Sequence, residues 1–102
     1  MKKLFISQPM RGKTDEEILS VRAKAIESAE RTLCEKVEVL ETLFQDAPED
    51  AKPLWYLGKS LEALSAADVA YFAKDWEQYR GCRIENACAM AYGIMAIEDY
   101  RD

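Results

Sequence analysis

The run Leu4-Phe5-Ile6-Ser7-Gln8-Pro9-Met10-Arg11-Gly12-Lys13-Thr14-Asp15-Glu16-Glu17 decides the architecture. Its apolar opening stops at a proline, as a short buried strand does. Beyond the proline, Thr14 and Glu17 have capping-box spacing: Thr14 caps a helix and Glu17 reaches back to it. The helix that follows carries Ile18, Ala25, Ala29 and Leu33 on one apolar face, flanked by Leu19, Val21 and Ile26. The chain therefore opens with a strand, a loop and a capped amphipathic helix.

The same alternation continues along the chain. Val37-Glu38-Val39-Leu40 is β-branched and reads as a second strand. Residues from about 44 to 53 hold two prolines and three acids and read as a loop. Leu54, Leu57, Leu61 and Leu64 recur at helical steps, with Trp55 and Tyr56 starting this second helix and packing beneath it. Asp68-Val69-Ala70-Tyr71-Phe72 reads as a third strand, and 74–80 as a polar, aromatic loop. Residues 81–92 are rich in small side chains and read as a helix, with Gly93 its C-cap; 94–97 form a fourth short strand. The order βαβαβαβ predicts an α/β fold with a parallel sheet of about four strands and right-handed crossovers. The expected architecture is a three-layer flavodoxin- or Rossmann-like sandwich, in one domain over residues 1–102. Ligands in such sheets lie beyond the carboxyl ends of the strands. That places a site among residues 7–13, the loop after Leu40, and residues 74–85.

Composition narrows the classes of function. The chain has 102 residues, 49% hydrophobic and 32% charged, an ordinary globular balance. Its 19 Asp and Glu outnumber 14 Lys and Arg, and no basic stripe is present, which argues against a duplex nucleic-acid partner. No apolar run approaches the roughly 20 residues that span a bilayer, so no membrane partner is expected. The opening Met1-Lys2-Lys3 followed by Leu4-Phe5-Ile6 is too short for a signal peptide, and the expected location is cytoplasmic. Three cysteines, Cys34, Cys82 and Cys88, read as reduced thiols. The absence of histidine excludes His-based acid–base catalysis and most transition-metal sites, so no metal or cofactor is expected.

Gly81 and Glu85 are four residues apart on one helical face, so glycine clears space over a carboxylate. A carboxylate at a strand-end helix can attack an anomeric carbon or act as a general base. The plainer alternative is a solvated glutamate that stabilises a helix N-terminus. Ser7, Gln8, Pro9, Met10, Arg11 and Gly12 leave the first strand, and their amides, hydroxyl and guanidinium suit a phosphate or sugar hydroxyls. The alternative is an ordinary connecting loop; neither the dinucleotide fingerprint nor the P-loop pattern is present. Asp68 is a candidate orienting acid, or else a turn residue if it lies at the amino edge of its strand. Trp76 and Tyr79 can stack a base or close the pocket, or simply cover the sheet. Cys82, near a helix N-terminus, is a weaker alternative nucleophile.

Three segments in order resemble the nucleoside 2-deoxyribosyltransferase-like superfamily, in particular a small bacterial and phage branch of it. They are Leu4 through Gly12, Ser65-Ala66-Ala67-Asp68-Val69-Ala70, and Trp76-Glu77-Gln78-Tyr79-Arg80-Gly81-Cys82-Arg83-Ile84-Glu85. The resemblance implies a flavodoxin-like sheet and a homo-oligomer of two or more copies. It assigns Glu85 as the nucleophile on the anomeric carbon of a nucleoside, Asp68 as the acid orienting the sugar, and Ser7 through Gly12 as contacts to sugar or 5′-phosphate. Gln8 stands where the branch carries glycine, and Tyr79 where characterised relatives often carry Ser or Asp. The resulting expectation is cleavage or transfer at the N-glycosidic bond of a nucleoside or nucleoside 5′-monophosphate. The alternatives are a nucleotide-binding or sensor domain without turnover, and a partner-binding protein that kept the fold.

Overall fold

The computed structural model describes residues 1–42 and 47–98. The elements follow the expected order: β1 (Lys2–Ser7), α1 (Asp15–Leu33), β2 (Val37–Val39), α2 (Pro53–Leu64), β3 (Val69–Phe72), α3 (Arg80–Ala91) and β4 (Met95–Glu98). Local chemistry sets their ends. Thr14 Oγ1 accepts from the Glu17 amide at 3.1 Å, and the Glu17 carboxylate accepts from the Thr14 amide at 3.0 Å, so both halves of the capping box form. Pro53 opens α2, where a missing N–H costs nothing. Gly93, at φ +71°, ends α3: its amide and that of Ile94 donate to the carbonyls of Met90 and Ala89, which closes the last turn as a Schellman motif.

The strands form one sheet in the order β2-β1-β3-β4, and every pairing is parallel. Leu4 lies beside Val69 and Ser7 beside Phe72, so the two central strands end level with each other. Residues Leu4 to Ser7 of β1 and all of β3 are buried, as strands covered on both faces must be. Alternation sorts their side chains. Leu4, Ile6, Val69 and Tyr71 meet Ala25 and Ala29 of α1 on one face. Phe5, Ala70 and Phe72 meet Leu64 of α2 and Ala89 of α3 on the other. This is a flavodoxin-like three-layer sandwich. The single helix on one side and the pair on the other follow from right-handed crossovers, because β1→β2 runs one way across the sheet while β2→β3 and β3→β4 run the other.

Some boundaries shift. β1 begins earlier than Leu4, Leu40 and Asp68 fall just outside their strands, and β4 starts at Met95. The stretch 74–80 contains a turn of 3₁₀ helix, Trp76–Gln78. Trp55 and Tyr56 start α2 as expected; Trp55 is half-buried while Tyr56 is 43% exposed, and they meet edge to face at 5.1 Å, with the Lys59 ammonium 5.8 Å from the Trp55 ring centre. The part of the expected 44–53 loop that covers 44–46 lies outside the described residues. No helix among the described residues is long and apolar enough to cross a membrane.

Candidate active site

The strand order reverses between β1 and β3. Chains leaving these two strands turn to opposite faces of the sheet, and a crevice opens between them. Ser7 is the last residue of β1 and has the same parity as Phe5, so it faces the α2/α3 layer. Glu85 comes from the second turn of α3 on that face. The Ser7 hydroxyl donates to Glu85 Oε1 at 2.6 Å, joining residues 78 positions apart. Ser60 of α2 hydrogen-bonds the same carboxyl group. Ser7 is 2% exposed and Glu85 8%, so this polar pair sits within the packed protein.

Burial pushes the Glu85 carboxyl above its ordinary range, and the hydrogen bonds from Ser7 and Ser60 pull it back in part. The group is thus a poorly solvated carboxylate held in one orientation by two hydroxyls. A cavity of about 220 Å³ opens onto it, walled by Gln8, Pro9, Met10 and Arg11 from the β1–α1 loop and by Tyr79, Gly81 and Cys82 from the start of α3. Gly81 has no positive φ, and a Cβ built there would meet nothing within 4 Å. Neither backbone nor packing demands glycine at this position; what its absent side chain leaves open is the cavity itself. Together these features define a parallel-sheet α/β protein with a buried carboxylate at the switch point of its sheet. Comparison with protein-family models, with curated proteins and with solved structures gave no significant match.

The structure brings Ser7, Gln8, Pro9, Met10, Arg11, Tyr79 and Gly81 around Glu85. Gln8 is 5% exposed; its Nε2 donates to the Ile18 carbonyl at 3.1 Å, and its Oε1 has no partner among the described residues. That amide ties the loop to α1.

Three expected residues fall elsewhere. Asp68 precedes β3 at its amino end, where it accepts from the Lys3 amide at 2.8 Å and its own amide donates to the Lys3 carbonyl. Phe72 lies four steps further on, about 13 Å along a strand, so Asp68 does not join the Glu85 cluster. It extends the β1–β3 ladder by one step. Trp76 is not a lid: its ring packs on Phe72 with centroids 5.6 Å apart, within the apolar layer under α2 and α3. Its Nε1 is buried without a partner among the described residues. Gly12, at φ +78°, turns the loop and does not line the cavity. The loop after β2 likewise contributes no described residue to that wall; Thr42 there accepts from Arg22 of α1 at 2.9 Å.

Cys82 is not an activated nucleophile. Burial pushes its thiol up to about 11; the Ser7 hydrogen bond lowers it and the neighbouring Glu85 charge raises it. Ser60 is the contributor that sequence reasoning missed. Its signal was available: it falls three residues after Leu57 and four before Leu64, a hydroxyl on the buried stripe of an apolar helix. Among the described residues, no three His, Cys, Asp or Glu side chains gather in a way that could hold a metal ion.

Proposed function

We propose that the chain cleaves or transfers at the N-glycosidic bond of a nucleoside or nucleoside 5′-monophosphate, with Glu85 as the nucleophile. One observation carries the reading: a buried carboxylate, held by Ser7 at 2.6 Å, faces a cavity at the switch point of the sheet. Structural carboxylates are seldom buried without a cationic partner, whereas functional ones are. In the reaction, a Glu85 oxygen bonds to the anomeric carbon as the carbon–nitrogen bond breaks. The electron pair leaves with the base, which takes a proton from solvent. Water or a second base then attacks the same carbon, gives up its proton to solvent, breaks the bond to Glu85 and regenerates the carboxylate. Ser7 and Ser60 orient Glu85 throughout. The loop over Gln8 to Arg11 holds the sugar side, and Tyr79 forms part of the cavity wall.

The proposed setting is a cytoplasmic homo-oligomer; the free thiols of Cys34, Cys82 and Cys88 suit a reducing compartment. One observation favours binding without turnover: about 220 Å³ is below the 300–1,000 Å³ typical of ligand pockets. The test is base release from a panel of nucleosides and 5′-monophosphates, followed by chromatography. Release by the native chain and none by Glu85→Ala supports the glycosidase reading. Absence of release from every substrate, with one of them still raising the melting temperature, supports the binding role.

A further inference from the structure

The Glu85 cavity has a neighbour across Tyr79 and Pro9, which line both spaces. This second cleft, of about 190 Å³, opens on the α1 side of the sheet, beyond the end of β3. Its wall includes apolar surface from Ile18, Val21 and Ala73, and Lys13, Lys24 and Lys74 also line it. The three lysines come from three separate parts of the chain: the β1–α1 loop, α1, and the loop after β3. Glu17 and Asp75 line the cleft too, so the cations outnumber the anions locally in a chain whose formal net charge is −5. A local excess of one positive charge on an acidic protein favours anions at that point over the rest of the surface. Lys24 and Lys74 are already engaged in the unliganded protein, so an anion there would share them with their present partners.

The two spaces are separate and each is smaller than an ordinary ligand pocket; a ligand that used both would have to pass Pro9 and Tyr79, which border each of them. Its sugar would face the carboxylate and its anionic end the ammonium groups.

We propose that the lysine cleft is a phosphate-chain subsite, and that the site takes a nucleoside carrying a 5′-diphosphate or longer chain in preference to the free nucleoside. The proposal rests on the sugar-at-Glu85 reading and extends it. Tyr79 and Pro9 then mark the passage between sugar and phosphates. Lys13 and Lys74 are exposed and can be replaced without disturbing the core.

The experiment is calorimetric titration of the full chain with inorganic pyrophosphate, and with nucleosides bearing no, one or two 5′-phosphates. The native chain is compared with Lys13→Ala/Lys74→Ala, with Glu85→Gln, and with Lys2→Ala/Lys52→Ala as a control of equal charge. Pyrophosphate is expected to bind the native chain, the control and Glu85→Gln alike, and at least tenfold more weakly to the Lys13/Lys74 variant. The 5′-diphosphate is expected to bind at least tenfold more tightly than its nucleoside, an advantage lost in that variant and reduced by salt. Failure of pyrophosphate to bind, or equal binding by the Lys13/Lys74 variant and the control, overturns the subsite. Base release without pyrophosphate binding would leave the Glu85 chemistry standing and remove only the subsite. Lysine-dependent pyrophosphate binding with no base release from any nucleotide would do the reverse.

Discussion

Glu85→Gln is expected to make the folded chain more stable at neutral pH while abolishing activity. The native carboxylate is 8% exposed and accepts hydrogen bonds from Ser7 and Ser60. Withdrawing a carboxylate from water costs several kcal/mol even after the protein relaxes, and each hydrogen bond to a charged group returns about 1.5–3 kcal/mol. Burial is the larger effect here, because the carboxyl stays above its ordinary value despite both hydroxyls. Glutamine keeps the shape and one acceptor oxygen and has no charge to desolvate, though its buried NH2 needs an acceptor, so the net gain is at most about 1 kcal/mol. For a chain of this length that is at most about 5 °C in melting temperature. The sign with pH follows from proton binding. A carboxyl with a raised folded-state value holds its proton where the unfolded chain has already lost it. Native stability therefore falls as pH rises from the ordinary value of 4.5 through the folded value, and levels off above it. The advantage of glutamine is greatest at neutral pH and shrinks on acidification. Thermal melts of both proteins from pH 4.5 to 8 read this directly. A glutamine variant that melts lower than the native chain at neutral pH, or a gap that ignores pH, would refute the reasoning.

Other outcomes follow from the same geometry. Ser7→Ala removes a hydrogen bond that lowers the Glu85 carboxyl, so the acid limb of the pH–rate profile should move to higher pH; an unmoved limb would separate Ser7 from the reacting group. Gly81→Leu projects into open space, so the fold should persist with an unchanged or higher melting temperature, while ligand affinity falls at least tenfold by titration. Trp76→Phe keeps the contact with Phe72 and deletes a buried, unpaired N–H, so stability should change by less than about 1 kcal/mol in denaturant melts with ligand affinity intact. Loss of affinity there would restore Trp76 to the pocket. Asp68→Ala should cost about 1 kcal/mol of stability through the lost Lys3 hydrogen bond and leave base release at the native rate.

Most of the secondary structure is legible in local patterns. The Thr14–Glu17 box and Gly93 after α3 each act over one helical turn, and the folded chain uses both in that way; the leucine repeat marks α2, with Leu61 and Leu64 on the core and Leu54 77% exposed. Glu85 was a candidate because Gly81 precedes it by one turn. Asp68 and Trp76 show where local reading stops. An aspartate beside a strand can lie at either end of a site, and only pairing with Lys3 fixes it at the amino end. An aromatic residue in a polar stretch reads as a lid until its ring is found against Phe72.

By itself, then, the sequence determined the alternation of strands and helices and hence a parallel α/β sandwich, because hydrophobic period and capping chemistry are short-range. The tertiary structure alone decided which strands are neighbours, and with that the site. Placing β1 beside β3 brings Ser7, Ser60 and Glu85 together from three distant parts of the chain, and separates Asp68 from them by the length of a strand. Side-chain period says which face a residue takes. It does not say which strand will lie alongside, and the solvation that makes Glu85 unusual depends on what packs around it.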